Sequence, residues 1–507
     1  MLERRICKFN WVILWIGCGI YVFMTKKRWI IMEYKNKPII IFGASSGARK
    51  VAQIFDNIGV EFEFFVDNDI SKWGKEFEGK QIVSPERLRE REYAIVIASG
   101  YQPEIEEQLL EMGLLNNLVL KEQFIMEYIK MHKDEFNSLS YIRINGNNKT
   151  IVIDLVEGIG LGGIETWSIM IADELIKKGK NVLIYSKKTE DKLPKKFEDI
   201  VQEFDLDYHR YFQSIKDLVY EIVNKLPCTI ISNWQSQVLI AGAIVKTYFP
   251  DKIRIVSVLH NDKIDIFRRQ QFLDCYTDDI ISVSKKIEKQ MIDKFGIKKG
   301  KMNYKESPIE YEEDYKKLYT MEKDKPIKIG FAARIDKFQK RADLLIELIK
   351  ELEKEQVFYE MNIAGKGNYF DKLKLFVDEN NLHNKVILHG LIARPFMVDF
   401  WKKNDIFLSV SDFEGASISM LEAMSYGVVP IVTDVSGVNE FVENRANGIV
   451  CSVGDMKEII EGIKTLEKNR DLLKQYGVIC RNITKVKCDK KEYIDYISVL
   501  AGKKATC

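Results

Sequence analysis

Residues 405–440 read DIFLSVSDFEGASISMLEAMSYGVVPIVTDVSGVNE. The apolar run from Asp405 to Val410 suits a buried parallel strand. Asp412-Phe413-Glu414-Gly415-Ala416-Ser417 follows as a loop, and the spacing predicts a helix from about Ser417 to Tyr426, stopped at Gly427. Val428 to Thr433 is a second buried strand, ending at Asp434. Strand, loop, helix and strand in this order make the repeating unit of a doubly wound α/β sheet, where ligands bind beyond the C-terminal strand ends. Seven residues separate Glu414 from Glu422. One glutamate therefore falls in the strand-end loop and the other early in the helix, facing the same crevice. Between them Gly415, Ala416 and Ser417 aim N–H groups outward at a helix start, a cradle for an anion flanked by two acceptors for hydroxyls.

The same pattern extends on both sides. An α/β unit begins at Pro326: a strand Lys328–Ala333, the loop Arg334-Ile335-Asp336-Lys337-Phe338-Gln339-Lys340, a helix Arg341–Glu353, and strands at 361–365 and 385–389. An earlier unit begins at Thr150. It has a strand 151–155, the loop Gly158-Ile159-Gly160-Leu161-Gly162-Gly163, a helix Glu165–Lys178 ended by Gly179, and strands at 181–186, 229–232, 253–259 and 280–284. Four glycines in six residues let a ligand approach the backbone beside a helix N-terminus; the plainer alternative is a tight turn with no ligand. Between the two units, EYEEDYKKLYTMEKDK (310–325) reads as an exposed helix or hinge.

With these motifs in order, residues 150–507 resemble a glycosyltransferase of family 4, with the GT-B fold of two facing Rossmann-like domains. The resemblance rests on the Glu414–Glu422 segment, Arg334 and Lys340 after a strand, Gly162-Gly163-Ile164-Glu165, and Ser282-Val283-Ser284. It implies an acceptor-side domain at 150–309, a nucleotide-sugar domain at 326–485, and a segment 486–507 packing back on the acceptor-side domain. It also implies that Glu414 contacts the donor sugar and Glu422 the ribose. Arg334 and Lys340 would hold the donor diphosphate, Gly162 and Gly163 would lie across the cleft, and Gly415, Ala416 and Ser417 would complete the donor site. His260, which ends the strand IVSVLH, matches a position near the transferred sugar, though a strand-end histidine is as often structural. An arginine and a lysine six apart in a lysine-rich chain usually make a solvated face; their joint placement at strand ends of facing domains is what singles them out. Three departures stand out: Ala333 where glycine often precedes the arginine, Ser307-Pro308-Ile309 in place of Asn-Gly, and Gly-Ala-Ser-Ile-Ser in place of Gly-Phe-Gly. The last bears on sugar identity.

The activity implied is transfer of a sugar, with retention, from a nucleotide-diphosphate-sugar to a glycan or lipid-linked acceptor, in bacterial surface-polysaccharide or cell-envelope synthesis. No metal or other cofactor is implied beyond the nucleotide sugar itself. Two alternatives remain: a GT-B nucleotide-sugar epimerase, which needs no acceptor, and a non-catalytic nucleotide-binding scaffold.

Upstream, residues 37–125 form another nucleotide-binding pattern. The strand Pro38–Phe42, the turn Gly43-Ala44-Ser45-Ser46-Gly47, a helix Ala48–Ile58, a strand Glu61–Val66 and the strand YAIVIA (93–98) follow one another. The turn exposes N–H groups at a helix start, and Asp67 at the second strand's end sits where an acid could hold a ribose hydroxyl. Gly43, Gly47 and Asp67 are thus nucleotide candidates, although G-x-x-x-G falls short of the full dinucleotide fingerprint. The order resembles the Rossmann-like amino-terminal domain of bacterial sugar acetyltransferases; their hexapeptide repeats are absent, so acetyl transfer is not implied. Asp67-Asn68-Asp69 also spells D-x-D, a metal-binding signature elsewhere, but Asn and Asp favour a strand-end turn. Residues 126–149, polar and rich in turn formers, are expected to be a linker.

Composition sets outer bounds. The 507 residues predict about three domains, and 46% hydrophobic with 30% charged residues is ordinary for globular protein. Lys+Arg 77 against Asp+Glu 75 leaves a net charge of +2, without the basic excess that would favour nucleic acid. The eight cysteines include no C-x-x-C and no zinc-spaced Cys–His cluster, and read as reduced thiols of a cytoplasmic protein rather than disulfides. Residues 9–25, FNWVILWIGCGIYVFMT, carry no charge and have Arg4, Arg5 and Lys8 before them and Lys26, Lys27 and Arg28 after. Seventeen residues is the short end of a membrane span. Residues 1–31 are therefore either a membrane anchor, placing the enzyme at the inner face of the membrane, or sequence upstream of a true start near Met32; no small-residue cleavage site marks secretion.

Overall fold

The computed structural model describes residues 37–144, 149–155, 162–187, 195–204, 206–233 and 237–504. Two compact units emerge. One ends at Phe136 and includes Tyr208–Tyr211; the other takes Asn137–Asp207 and Phe212 onward.

The first unit holds β1 (Ile39–Phe42), β2 (Phe65–Val66), β3 (Glu76–Phe77), β4 (Lys80–Val83) and β5 (Ala94–Ile97), in the order β3-β4-β2-β1-β5. All pairs are parallel except the β3–β4 hairpin. Helix Ser46–Asn57 makes the β1–β2 crossover, and Ile40, Phe42, Val66, Ile95 and Leu109 form the core. The strand expected over Glu61–Val66 shrinks to two residues. The linker expected at 126–149 is corrected in part. Helix Lys121–Met131 runs into it and a 3-10 segment, Lys133–Tyr141, follows, because Ile129, Phe136 and Leu139 find buried places and give this stretch an apolar face.

In the second unit the strands are β6 (Thr150–Leu155), β7 (Asn181–Lys187), β8 (Val201–Phe204), β9 (Cys228–Ser232), β10 (Ile253–Leu259), β11 (Asp279–Ser282) and β12 (Met302–Tyr304). Then come β13 (Ile327–Ala332), β14 (Tyr359–Ala364), β15 (Val386–Gly390), β16 (Ile406–Ser409), β17 (Val429–Thr433) and β18 (Ile449–Cys451). They form two parallel sheets, ordered β12-β11-β10-β9-β6-β7-β8 and β15-β14-β13-β16-β17-β18. Every residue of β6, β9 and β10 is buried, which is why these strands read as mainly apolar runs rather than alternating ones. Arg254 interrupts the run in β10. It is tolerated there because its guanidinium pairs with Asp279 and donates to the Lys504 carbonyl at 2.6 Å.

In each sheet the chain starts in the middle and winds first one way, then the other. The direction reverses between β6 and β9 in one sheet and between β13 and β16 in the other. Adjacent crossovers there leave on opposite faces, opening a crevice at the strand ends. The loops after β13 and β16 carry Arg334–Lys340 and Asp412–Ser417.

Two connections hold the sheets together. Residues 310–325, expected as an exposed helix or hinge, form no helix. They lie as an extended strap in which Lys317 Nζ donates to the carbonyls of Trp401 (3.2 Å), Lys402 (2.8 Å) and Asn404 (2.5 Å), capping the C-terminal end of helix Arg394–Lys403. Burial pushes the Lys317 ammonium down to about 8. Helix Asp471–Lys487 packs on the six-stranded side, and the chain then returns. Helix Lys490–Gly502 places Tyr493, Ile494, Ile497, Leu500 and Ala501 in the core of the seven-stranded domain beside Trp167, whose indole donates to Tyr493 Oη at 3.2 Å.

Candidate active site

The loop after β13 is organised by one carboxylate. Asp336 accepts from the backbone N–H of Gln339 (3.1 Å) and Lys340 (3.3 Å) and pairs with Arg334. Burial raises this carboxyl, but Arg334 and the two N–H groups outweigh it and hold it below the ordinary range. Asp412 N donates to Gln339 O at 3.0 Å, and Gln339 Nε2 donates to Phe413 O at 3.1 Å. Arg341, held at φ +48, reaches Asp412 at 3.0 Å and Asp343 at 3.1 Å. These bonds bring Lys340 Nζ onto Glu414 Oε1 as a close ion pair, with the Glu414 side chain only 9% exposed. Arg334 stays 64% exposed at the cleft edge.

Glu414 leads into Gly415, which meets the facing domain. A lone antiparallel bridge joins Gly415 to Asn261, and a Cβ on Gly415 would sit 1.9 Å from the His260 carbonyl oxygen. Only glycine permits that approach. Around it, Lys263 Nζ lies 5.4 Å and 5.0 Å from the ring centroids of Phe338 and Phe413, Ser284 and Ser436 share a 2.8 Å hydrogen bond, and Lys285 N donates to Glu440 at 2.8 Å.

His260 is fixed by a network that assigns its tautomer. The Asn233 amide donates to Asp154 O (2.8 Å) and Ser168 Oγ (3.0 Å), so its oxygen is left to accept from His260 Nε2 at 2.9 Å. The ring is therefore protonated at Nε2 and keeps an acceptor at Nδ1. Burial pushes its pKa down to about 3, and Trp167 meets it edge-on at 5.2 Å. Next along the chain, Asp262 pairs with Lys286 at 3.4 Å; burial first and then the Glu414 charge raise its carboxyl against the pull of Lys286.

The structure thus gathers Arg334, Lys340, Glu414, Gly415 and His260 at one cleft. Gly162 and Gly163 open helix Gly163–Lys177, and a Cβ on Gly163 would meet Ile418 at 3.5 Å, so this turn reaches the start of helix Ile418–Ser425. Gly158 and Gly160 lie outside the described residues. Ser417 spends its hydroxyl as the N-cap, accepting from Met420 N at 3.3 Å; Ala416 packs against the facing core. Glu422 Oε1 lies 3.3 Å from Arg394.

Gly43, Gly47 and Asp67 lie in the first unit. Asp67 Oδ2 accepts from Ala44 N (2.8 Å) and Lys72 (2.9 Å), and Oδ1 from Asp69 N (2.9 Å), which ties the carboxylate into the turn. A Cβ on Gly43 or Gly47 would lie 2.9 Å or 3.2 Å from Ala98 O, so close packing against the end of β5 accounts for both glycines. Asp69 accepts from Ser71 N at 2.9 Å, a turn rather than a metal ligand. Sequence reasoning passed over Asp336, Gln339, Asn233, Asp262 and Arg394. It also passed over Gly365 and Gly367, which lie against the backbone of Ala333 and Ile335; the G-x-G directly after β14 was a visible signal for that pair.

Comparison with known proteins points to glycosyltransferases. Residues 316–482 match the family model described as Glycosyl transferases group 1. A second model, C2185-like, N-terminal, matches residues 34–120. Poly(ribitol-phosphate) alpha-N-acetylglucosaminyltransferase of Staphylococcus aureus is 29% identical over 27% of this chain and 28% of its own length. Lipopolysaccharide 1,6-galactosyltransferase of Escherichia coli is 23% identical over 45% and 64%. In both cases the chain spans less than two thirds of the relative. HepE from Anabaena, solved with UDP and glucose, superposes with a TM-score of 0.57 at 17% identity, covering 70% of this chain and 99% of that one. The fold of the second unit is GT-B.

Proposed function

We propose that this chain is a retaining glycosyltransferase of family 4 that moves a sugar from a nucleotide-diphosphate-sugar to a glycan or lipid-linked acceptor of a bacterial surface polysaccharide. The observation that carries the reading is the Lys340–Glu414 pair, set at the strand ends beside Arg334 and facing His260. A donor diphosphate would take Lys340 and Arg334 as counter-charges and free Glu414 to accept from the sugar hydroxyls. Charge develops on the leaving diphosphate, and fixed cations in a partly dry cleft stabilise it. Neutral His260 cannot supply a positive charge; it offers Nδ1 as an acceptor and its ring as a wall near the sugar. On the acceptor side, Asp262 is the carboxylate placed to receive a hydroxyl hydrogen bond. Attack from the leaving group's face, with the donor phosphate accepting the acceptor's proton, retains the anomeric configuration.

UDP-sugars are the first donors to test, given the UDP and glucose bound by HepE. The experiment is nucleoside-diphosphate release from a panel of nucleotide sugars, with and without lipid-linked and glycan acceptors, and NMR of the product's anomeric centre. Acceptor-dependent release with retention supports the proposal. An inverted product, or an epimerised sugar formed without acceptor, sinks it.

A further inference from the structure

Arg394 is not accounted for by the site as built so far. It stands in the first turn of helix Arg394–Lys403, directly before Pro395. That is the end of a helix where the macrodipole disfavours a cation, so the arginine needs a reason outside its own helix. The reason lies on the neighbouring helix Ile418–Ser425: its Nη2 is 3.3 Å from Glu422 Oε1. Seven residues on, and therefore on the same face, Trp401 is fully buried and sets its indole beside the same carboxylate. The Glu422 side chain keeps 23% of its surface exposed. Glu310 adds an opposing negative charge, and the Tyr426 hydroxyl shares the neighbourhood. Burial holds the Glu422 carboxyl above the ordinary range, with Arg394 and then Trp401 working against that rise.

We propose that Arg394 is a positioning residue for donor binding: its ion pair holds and aims the Glu422 side chain so that the carboxylate accepts from the vicinal hydroxyls of the donor's ribose. This rests on the donor reading above. Glu422 can do both tasks, because each carboxylate oxygen has two lone pairs and Arg394 uses one. A protonated Glu422 would turn one acceptor into a donor and lose half of the recognition.

The test is titration calorimetry with UDP, GDP, ADP and CDP in turn, from acid to alkaline pH, on wild type, Arg394→Ala, Arg394→Lys, Glu422→Gln and the Arg394→Ala/Glu422→Gln double variant, together with donor KM and kcat. Arg394→Ala should weaken nucleotide binding about tenfold at neutral pH, the order of effect expected when the charge-assisted contact that aims the carboxylate is lost. The acid limb of binding should move to higher pH, while kcat at saturating donor stays within about twofold. Arg394→Lys should restore most of the affinity, and the double variant should bind no worse than Glu422→Gln alone. Unchanged affinity and pH limb in Arg394→Ala, tighter binding, or effects that add to those of Glu422→Gln would each overturn the positioning role and leave the transferase reading intact. No diphosphate binding by wild type would sink both. If Arg394→Ala melts early, Arg394→Gln replaces it in the same comparison.

Discussion

Gly415→Ala tests whether the two domains must close through a single backbone contact. The added Cβ would lie 1.9 Å from the His260 carbonyl oxygen, 2.5 Å from its carbon and 2.8 Å from Asn261 Cα. Non-bonded heavy atoms are comfortable at roughly 3.5 Å, so about 1.5 Å of separation has to be found. All three neighbours are backbone, so no side chain can swing away. Strands β10 and β16 behind the contact are buried in their sheets, which leaves the opening of the cleft as the cheapest response. A displacement of about 1 Å at a reacting centre costs roughly 100-fold, and kcat/KM should fall by at least that much. Overpacking should cost about 1–3 kcal/mol of stability. The assay is initial-rate sugar transfer alongside a thermal melt. Gly300→Ala serves as the control, because a Cβ there meets nothing within 4 Å and no positive φ is involved. Wild-type turnover in Gly415→Ala would refute the argument that cleft closure passes through this contact.

Lys340→Ala should lower kcat at saturating donor by about 100-fold, the usual cost of losing one donor to a developing anion; near-wild-type kcat would remove Lys340 from the diphosphate site. Glu422→Ala should act differently, raising donor KM with a smaller change in kcat, as read from steady-state rates over a donor titration. Trp167→Ala should destabilise the second unit by about 3–5 kcal/mol in denaturant melts, because it empties a fully buried site between helix Gly163–Lys177 and the returning C-terminal helix. His260 has a folded pKa of about 3 against 6.5 in a free chain, so the unfolded state binds its proton first as pH falls. Its contribution to stability is therefore full above about pH 6.5 and lost toward pH 3, and His260→Gln should melt with a shallower dependence on pH across that window. A parallel slope in the two proteins would contradict the buried neutral ring.

Glu414 and Glu422 were visible in the chain because a loop glutamate and a helix glutamate flank a glycine between two apolar runs, a pattern local to a few dozen residues. The alternation of buried strand and amphipathic helix likewise showed in the sequence, because a parallel sheet covered on both faces needs continuous apolar strands. What local pattern could not reveal is which surfaces meet. Polar strap residues 310–325 read as solvated, yet the Lys317 ammonium donates to three carbonyls at the end of a helix more than seventy residues away. Asp336 and Asn233 look like ordinary loop polars until the fold places two N–H groups on one and an imidazole on the other. Asp67 was read for its place at a strand end, and only the fold shows that its carboxylate also accepts from Ala44 N, Asp69 N and Lys72. The 1.9 Å approach at Gly415 has no sequence signature either, since a glycine in a loop looks the same whether it faces water, a ligand or another backbone. Periodicity and turn chemistry act over short range, so the layered α/β architecture and the residue types at the strand ends were legible in the chain. Tertiary structure alone decided which charges pair, which tautomer His260 holds and where the cleft closes, because each depends on groups brought together from distant parts of the chain.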